Sequence, residues 1–151
     1  MKQLIRSALI LGAAASLAAA RPQAATNPWT IVVGNGPYAG TYSAKAKDVI
    51  CLNAKPQKFF AASFRDLDAK SPRALGEGRI SVDSPDVDGA KHGDLHIAFG
   101  DDKKRSIAYD IFNVPISFTA KGKVMELSGT GKTKGGVLLK ITATCNDITT
   151  I

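Results

Sequence analysis

The residues best placed to do chemistry in this chain are its two histidines and the carboxylate between them, His92, Asp94 and His96. They share one parity, so an extended strand would project all three from one face, an arrangement that can offer two imidazoles and a carboxylate to zinc or copper. Leu95, Ile97 and Phe99 take the opposite parity and read as the core side, which makes the histidines ordinary outward residues unless a metal recruits them. The acidic stretch Asp83-Ser-Pro-Asp-Val-Asp-Gly89 offers a second cation chemistry. Asp83, Asp86 and Asp88 could present hard oxygens around calcium, but the bidentate glutamate that closes such a loop is missing: counted from Ser84 the twelfth position is Leu95, and Asp94 could close only a looser site. Ser128-Gly-Thr-Gly-Lys-Thr133 resembles the end of a phosphate-binding loop, yet that motif needs a glycine where Glu126 stands, so the stretch is expected to be a hairpin turn.

Covalent catalysis finds less support. There is no Gly-x-Ser-x-Gly elbow, and paired carboxylates capable of hydrolysis are not singled out by their order in the chain. No catalytic residue is expected and no cofactor is implied. Surface contact has more candidates: the charged run that includes Lys103, Lys104 and Arg105, the aromatic pair Phe59 and Phe60, and the single tryptophan, Trp29, whose other role would be to cover the open end of the core. The basic run would suit an acidic surface. Phe59 and Phe60 put one ring on each face of a strand, and an uncovered outer ring would be a sticky patch.

The two cysteines, Cys51 and Cys145, belong with the opening segment. Lys2 and Arg6 precede an apolar, alanine-rich stretch that reads as a secretory signal peptide, with cleavage after Ala20 or Ala25. Residues 1–25 are therefore expected to be a signal and 26–151 a single domain, with no membrane span left after cleavage. Export to a periplasm or to the outside implies oxidising conditions, and two cysteines then imply one disulfide. Both lie in strand-like contexts. Val137, Leu139, Ile141, Ala143 and Cys145 alternate, which sets the Cys145 sulfur on a buried face.

Charge excludes one class of partner. The chain carries 20 basic and 13 acidic residues, formally +7. Its lysines are dispersed and interrupted by acids, which is no nucleic-acid footprint. The 151 residues are enough for one core.

The elements that must position these residues are strands. Alternation marks Arg79-Ile-Ser-Val, Asp94 to Phe99, Ser106 to Ile111, Ile116 to Phe118 and the C-terminal run. Gly34-Asn-Gly-Pro, Lys121-Gly and Gly129-Thr-Gly supply turn chemistry between strands. About seven to nine short strands at hairpin spacing predict an all-β fold, an antiparallel β-sandwich or flattened barrel. The stretch from Asp66 to Gly78 is irregular.

The order Gly40-Thr-Tyr, Val49-Ile-Cys-Leu, Gly78-Arg-Ile-Ser-Val, His96-Ile-Ala-Phe-Gly, Leu127-Ser-Gly-Thr-Gly and Ile141-Thr-Ala-Thr-Cys resembles small exported bacterial proteins of unknown function. It is similar in layout to the mycobacterial surface lipoprotein antigens, which pair an early and a terminal strand cysteine. The resemblance spans Ala39 to Cys145 and departs from the antigens in lacking a lipidated cysteine. It implies an exported, non-catalytic β-domain and transfers no active site. The expectation is a domain acting by surface recognition of a protein or cell-surface component. The alternatives are a carrier of a metal or small ligand, and a hydrolase with carboxylates assembled in space.

Overall fold

Strand formation follows from the apolar alternation. In a computed structural model, which describes residues 27–44, 49–54, 58–66, 71–83, 91–100 and 107–151, all regular elements are strands. They are β1 (Trp29–Val33), β2 (Gly40–Ala44), β3 (Ile50–Ala54), β4 (Phe59–Arg65), β5 (Leu75–Val82), β6 (His92–Phe99), β7 (Ile107–Lys121), β8 (Val124–Lys132), β9 (Leu138–Cys145) and β10 (Thr149–Thr150). In β1, Trp29, Ile31 and Val33 face inward, and in β9 Leu139, Ile141, Ala143 and Cys145 do the same. β-branched residues suit these positions because their restricted side chains fit a pleated, half-buried surface.

The ten strands form one sheet in the order β10-β3-β4-β5-β6-β7-β8-β9-β1-β2. Every pairing is antiparallel except β10 with β3, where Thr149 aligns with Leu52 and Thr150 with Asn53. The all-β class and the single disulfide agree with the sequence, but the sheet is mixed, with ten strands where seven to nine were expected. The short β10 carries no alternation of its own; only its return to β3 makes it a strand.

The sheet curls until its two arms face each other. Trp29 on β1 meets Phe64 on β4 edge to face, with ring centroids 4.9 Å apart. Cys51 on β3 and Cys145 on β9, second and eighth in the order, form a disulfide with Cα atoms 6.0 Å apart. The core lies in the concavity, where Ile80, Leu95, Ile97, Leu127 and Ile141 are buried.

β7 makes the corner between the arms. Its first part pairs with β6 as far as Pro115, and Ile116 to Lys121 pair with β8. At the corner Asn113 adopts a left-handed conformation with φ 55°, which asparagine tolerates better than most residues. Pro115 follows and has no N–H to donate. Asn113, Val114 and Pro115 thus bend a strand that the sequence pattern splits in two.

Gly129 and Gly131 also differ from expectation, because they lie within β8 and not in a turn. A Cβ on Gly129 would stand 2.5 Å from Ile116 Cδ1, and one on Gly131 would stand 2.9 Å from Ile111 Cγ2 and from Val114 Cγ1. These glycines make room for side chains of β7. The turn comes later, where Thr133 Oγ1 accepts a hydrogen bond from Val137 N–H at 3.1 Å.

Candidate functional site

The outer face of β5, β6 and β7 collects the chemistry-bearing residues. Cross-strand register aligns Ile50, Ser63, Arg79, His96 and Asp110 in one row. His96 Nδ1 lies 2.6 Å from Asp110 Oδ1, and its Nε2 lies 3.8 Å from Glu77 Oε1. An ionised Asp110 only accepts, so Nδ1 carries the proton in this pair and the Nε2 side faces Glu77. Asp110 and Glu77 were not singled out in the sequence. The parity of Ser106 to Ile111 could have placed Asp110 on the outer face, but only the pairing of three strands brings it to His96.

Of His92, Asp94 and His96, the last two have separate partners. Asp94 Oδ1 accepts the backbone N–H of Asn113 at 3.1 Å, so its carboxylate serves the corner of β7. The register between β6 and β7 slips at this point, with Gly93 opposite Val114 and Leu95 opposite Ile111. The extra residue on β7 makes a bulge, whose freed N–H takes Asp94 as its partner. His92 makes interactions of its own. Gly93 separates the pair for a steric reason: a Cβ there would stand 1.8 Å from the backbone oxygen of Ser81. Among the described residues no group of three or more His, Cys, Asp or Glu is set to hold a metal ion.

Of the calcium candidates, Asp83 is exposed and donates its backbone N–H to His92 O at 2.9 Å, while Asp86 and Asp88 lie outside the described residues. Lys103, Lys104 and Arg105 also lie outside them. Trp29 requires a correction as a surface candidate. It is 1% exposed and belongs to the core, where β1 is covered by the opposite arm. Phe60 turns toward Phe118, with centroids 4.4 Å apart, and Lys91 Nζ sits 4.0 Å above the Phe118 ring. Phe59, of opposite parity on β4, is half-buried.

Beside the His96 row the sheet opens. β7 and β8 pair from Ile116 and Gly129 downward, but above that point they part, leaving a groove of about 550 Å³. One wall is Ala108 to Phe112 and the other is Lys132 to Gly135. At the base Ile111 and Val114 close on Gly131. The second wall is pinned from behind by Asn35, whose Oδ1 accepts Leu138 N–H at 2.8 Å and whose Nδ2 donates to Gly136 O at 3.2 Å. Phe112, 66% exposed, stands on the rim, and Lys132 and Lys134 are exposed on the far side. Comparison with known protein families, curated proteins and solved structures finds no match. The groove must therefore be read from its own geometry.

Tyr109 lines the same groove but is only 6% exposed, and its hydroxyl finds no hydrogen-bond partner. Burial, and then the neighbouring Tyr38 and Tyr42, raise its pKa above the ordinary tyrosine value. Phe99 lies between the three rings, with centroids 4.6 Å from Tyr38, 5.0 Å from Tyr42 and 6.4 Å from Tyr109. These aromatics pack together against one end of the core.

The outer face of the other arm is rich in hydroxyls. Ser43, Thr30, Thr142, Ser128 and Ser117 align across β2, β1, β9, β8 and β7. Ser128 Oγ and Thr142 Oγ1 are 3.3 Å apart, so part of the row satisfies itself. The depression there is smaller, about 260 Å³.

Proposed function

We propose that this protein is an exported recognition domain that binds a protein or cell-surface component and performs no covalent chemistry. In this reading the curled sheet serves as a flattened barrel, held shut by the Cys51–Cys145 disulfide, that presents a rigid outer surface. The observation that carries the proposal is the groove between β7 and β8, rimmed by Phe112 and faced by Lys132 and Lys134. An exposed aromatic can anchor a contact, and lysines beside it select for an acidic partner and do not supply the bulk of the affinity. The groups that meet His96 are the carboxylates of Asp110 and Glu77, which hold its ring against the outer face of the sheet.

The test is a photoreactive residue at position 112, crosslinked in the exported fraction of the cell of origin, followed by titration of the purified captured component. Saturable binding that is lost in Phe112→Asp is expected. Turnover of an ester, peptide or glycoside by the purified protein, lost in His96→Ala, would overturn the proposal.

A metal carrier is the second reading, and one geometry favours it. A histidine that gives its Nδ1–H to a carboxylate while Nε2 faces another is arranged as many metal-ligating histidines are. Zinc titration followed through the His96 ring signals tests it, and unchanged signals would dismiss it.

A further inference from the structure

We infer that the groove takes an extended, acidic segment of its partner as an added β-strand along β7, an inference that rests on the recognition reading. The edge of β7 from Ala108 to Ile111 is paired with β6 on one side and has no strand on the other among the described residues. Continuing the β7–β8 register would set Val114 against Gly131 and Phe112 against Thr133, but the strands part instead and the backbone of β7 faces the groove.

An open strand edge is a template for pairing, and proteins normally blunt such edges with Lys, Pro, a bulge or very short length. The outermost strands of this sheet are short, with five residues in β2 and two in β10. The β7 edge is treated differently: Ala108 to Ile111 contains neither Lys nor Pro, and the blunting features, the bulge at Phe112 and Asn113 and then Pro115, begin just after it. In strand addition the main chain supplies the affinity, and side chains on alternate positions supply the choice of partner.

The choice here is set by charge. Lys132 and Lys134 are exposed on the wall facing the open edge. The one acid on the β7 wall, Asp110, is engaged by His96 at 2.6 Å and stands against two lysines on the other wall. Acidic side chains on the incoming strand would therefore find cations in reach, whereas a second copy docking edge to edge would bring lysines against lysines. Phe112, on the rim, gives an apolar residue of the segment a place to rest.

The test uses a capped peptide of about six residues alternating Val and Glu, enough to cover the open edge at about 3.3 Å per residue. Two controls accompany it: the same length alternating Val and Lys, and the acidic peptide with N-methylated backbone on alternate residues. The acidic peptide should shift backbone amide signals at Ala108 to Phe112 and Lys132 to Gly135. Each control, and the Lys132→Glu, Lys134→Glu double variant, should bind at least about ten-fold more weakly. The double variant's unfolding midpoint confirms that it is folded. Equal binding by acidic and basic peptides, indifference to N-methylation, shifts elsewhere, or no binding at millimolar peptide would each overturn strand addition. A crosslinked partner that depends on Phe112 but is not displaced by the acidic peptide would overturn strand addition and leave the recognition reading standing. Failure of that partner to depend on Phe112 as well would remove both.

Discussion

Opening the disulfide should cost this fold a large part of its stability, and the size of the loss follows from where the bond sits. Cys51 and Cys145 are 94 residues apart in sequence, and the bond closes the chain from β3 to β9 into one loop. In the chain-entropy model a loop of that size stabilises the folded state by about 4 to 5 kcal/mol, against a typical total of about 5 to 15 kcal/mol. With a urea dependence of about 2 kcal/mol per molar, the unfolding midpoint should fall by about 2 M on reduction. Urea unfolding of oxidised and fully reduced protein, followed by far-UV circular dichroism, measures this directly. A Cys51→Ala, Cys145→Ala variant should fall with the reduced protein. Serine would add a cost of its own, because both sulfurs are buried and an unpaired hydroxyl in such a place costs about 1 to 3 kcal/mol. Coincident midpoints for oxidised and reduced protein would show that the bond decorates a sheet already closed by packing, and the reasoning from loop length would fail.

Gly93→Ala should destabilise by more than about 4 kcal/mol in the same assay, because the new methyl would meet backbone atoms of β5 that cannot turn aside. Gly122→Ala, at φ +61° with open space around it, should cost only about 1 kcal/mol of backbone strain. Asp94→Ala should cost only about 0.5 to 1 kcal/mol, because water can reach the Asn113 N–H that loses its acceptor, and hydrogen exchange should quicken at Asn113. Tyr109 supplies a pH test: its pKa is raised in the folded state, so its stabilising effect is present below the unfolded value of about 10 and is lost as pH climbs through the folded one. Unfolding midpoints above pH 10 should fall less steeply in Tyr109→Phe than in wild type.

The parts of the fold visible in the sequence were those written in local alternation. The parity of β9 located the Cys145 sulfur, and the apolar pattern of β6 located its inner face at Leu95, Ile97 and Phe99. The corner in β7 was not legible, because Asn113-Val-Pro looks locally like the end of a strand and only pairing to β6 and then β8 reveals its continuity. Gly129 and Gly131 misled for the same reason. A glycine that makes room for a facing side chain and a glycine that makes a turn have the same local signature. The candidate site was half legible: His96 was singled out, but Asp110 and Glu77 reach it through register, and the groove exists only because two strands part. Lys132 and Lys134 looked like two of many dispersed lysines until the turn after β8 set them across from an open edge.

The long covalent loop also has a mechanical consequence. A pull applied outside Cys51 and Cys145 travels through the sulfur bridge and bypasses everything between them. Only the segments before Cys51 and after Cys145 can be drawn out, chiefly β1, β2 and β10. The bypassed stretch hides about 320 Å of contour length at about 3.4 Å per extended residue. For a domain tethered at a surface, oxidation would set a hard stop on extension, and reduction would turn the stop into slack.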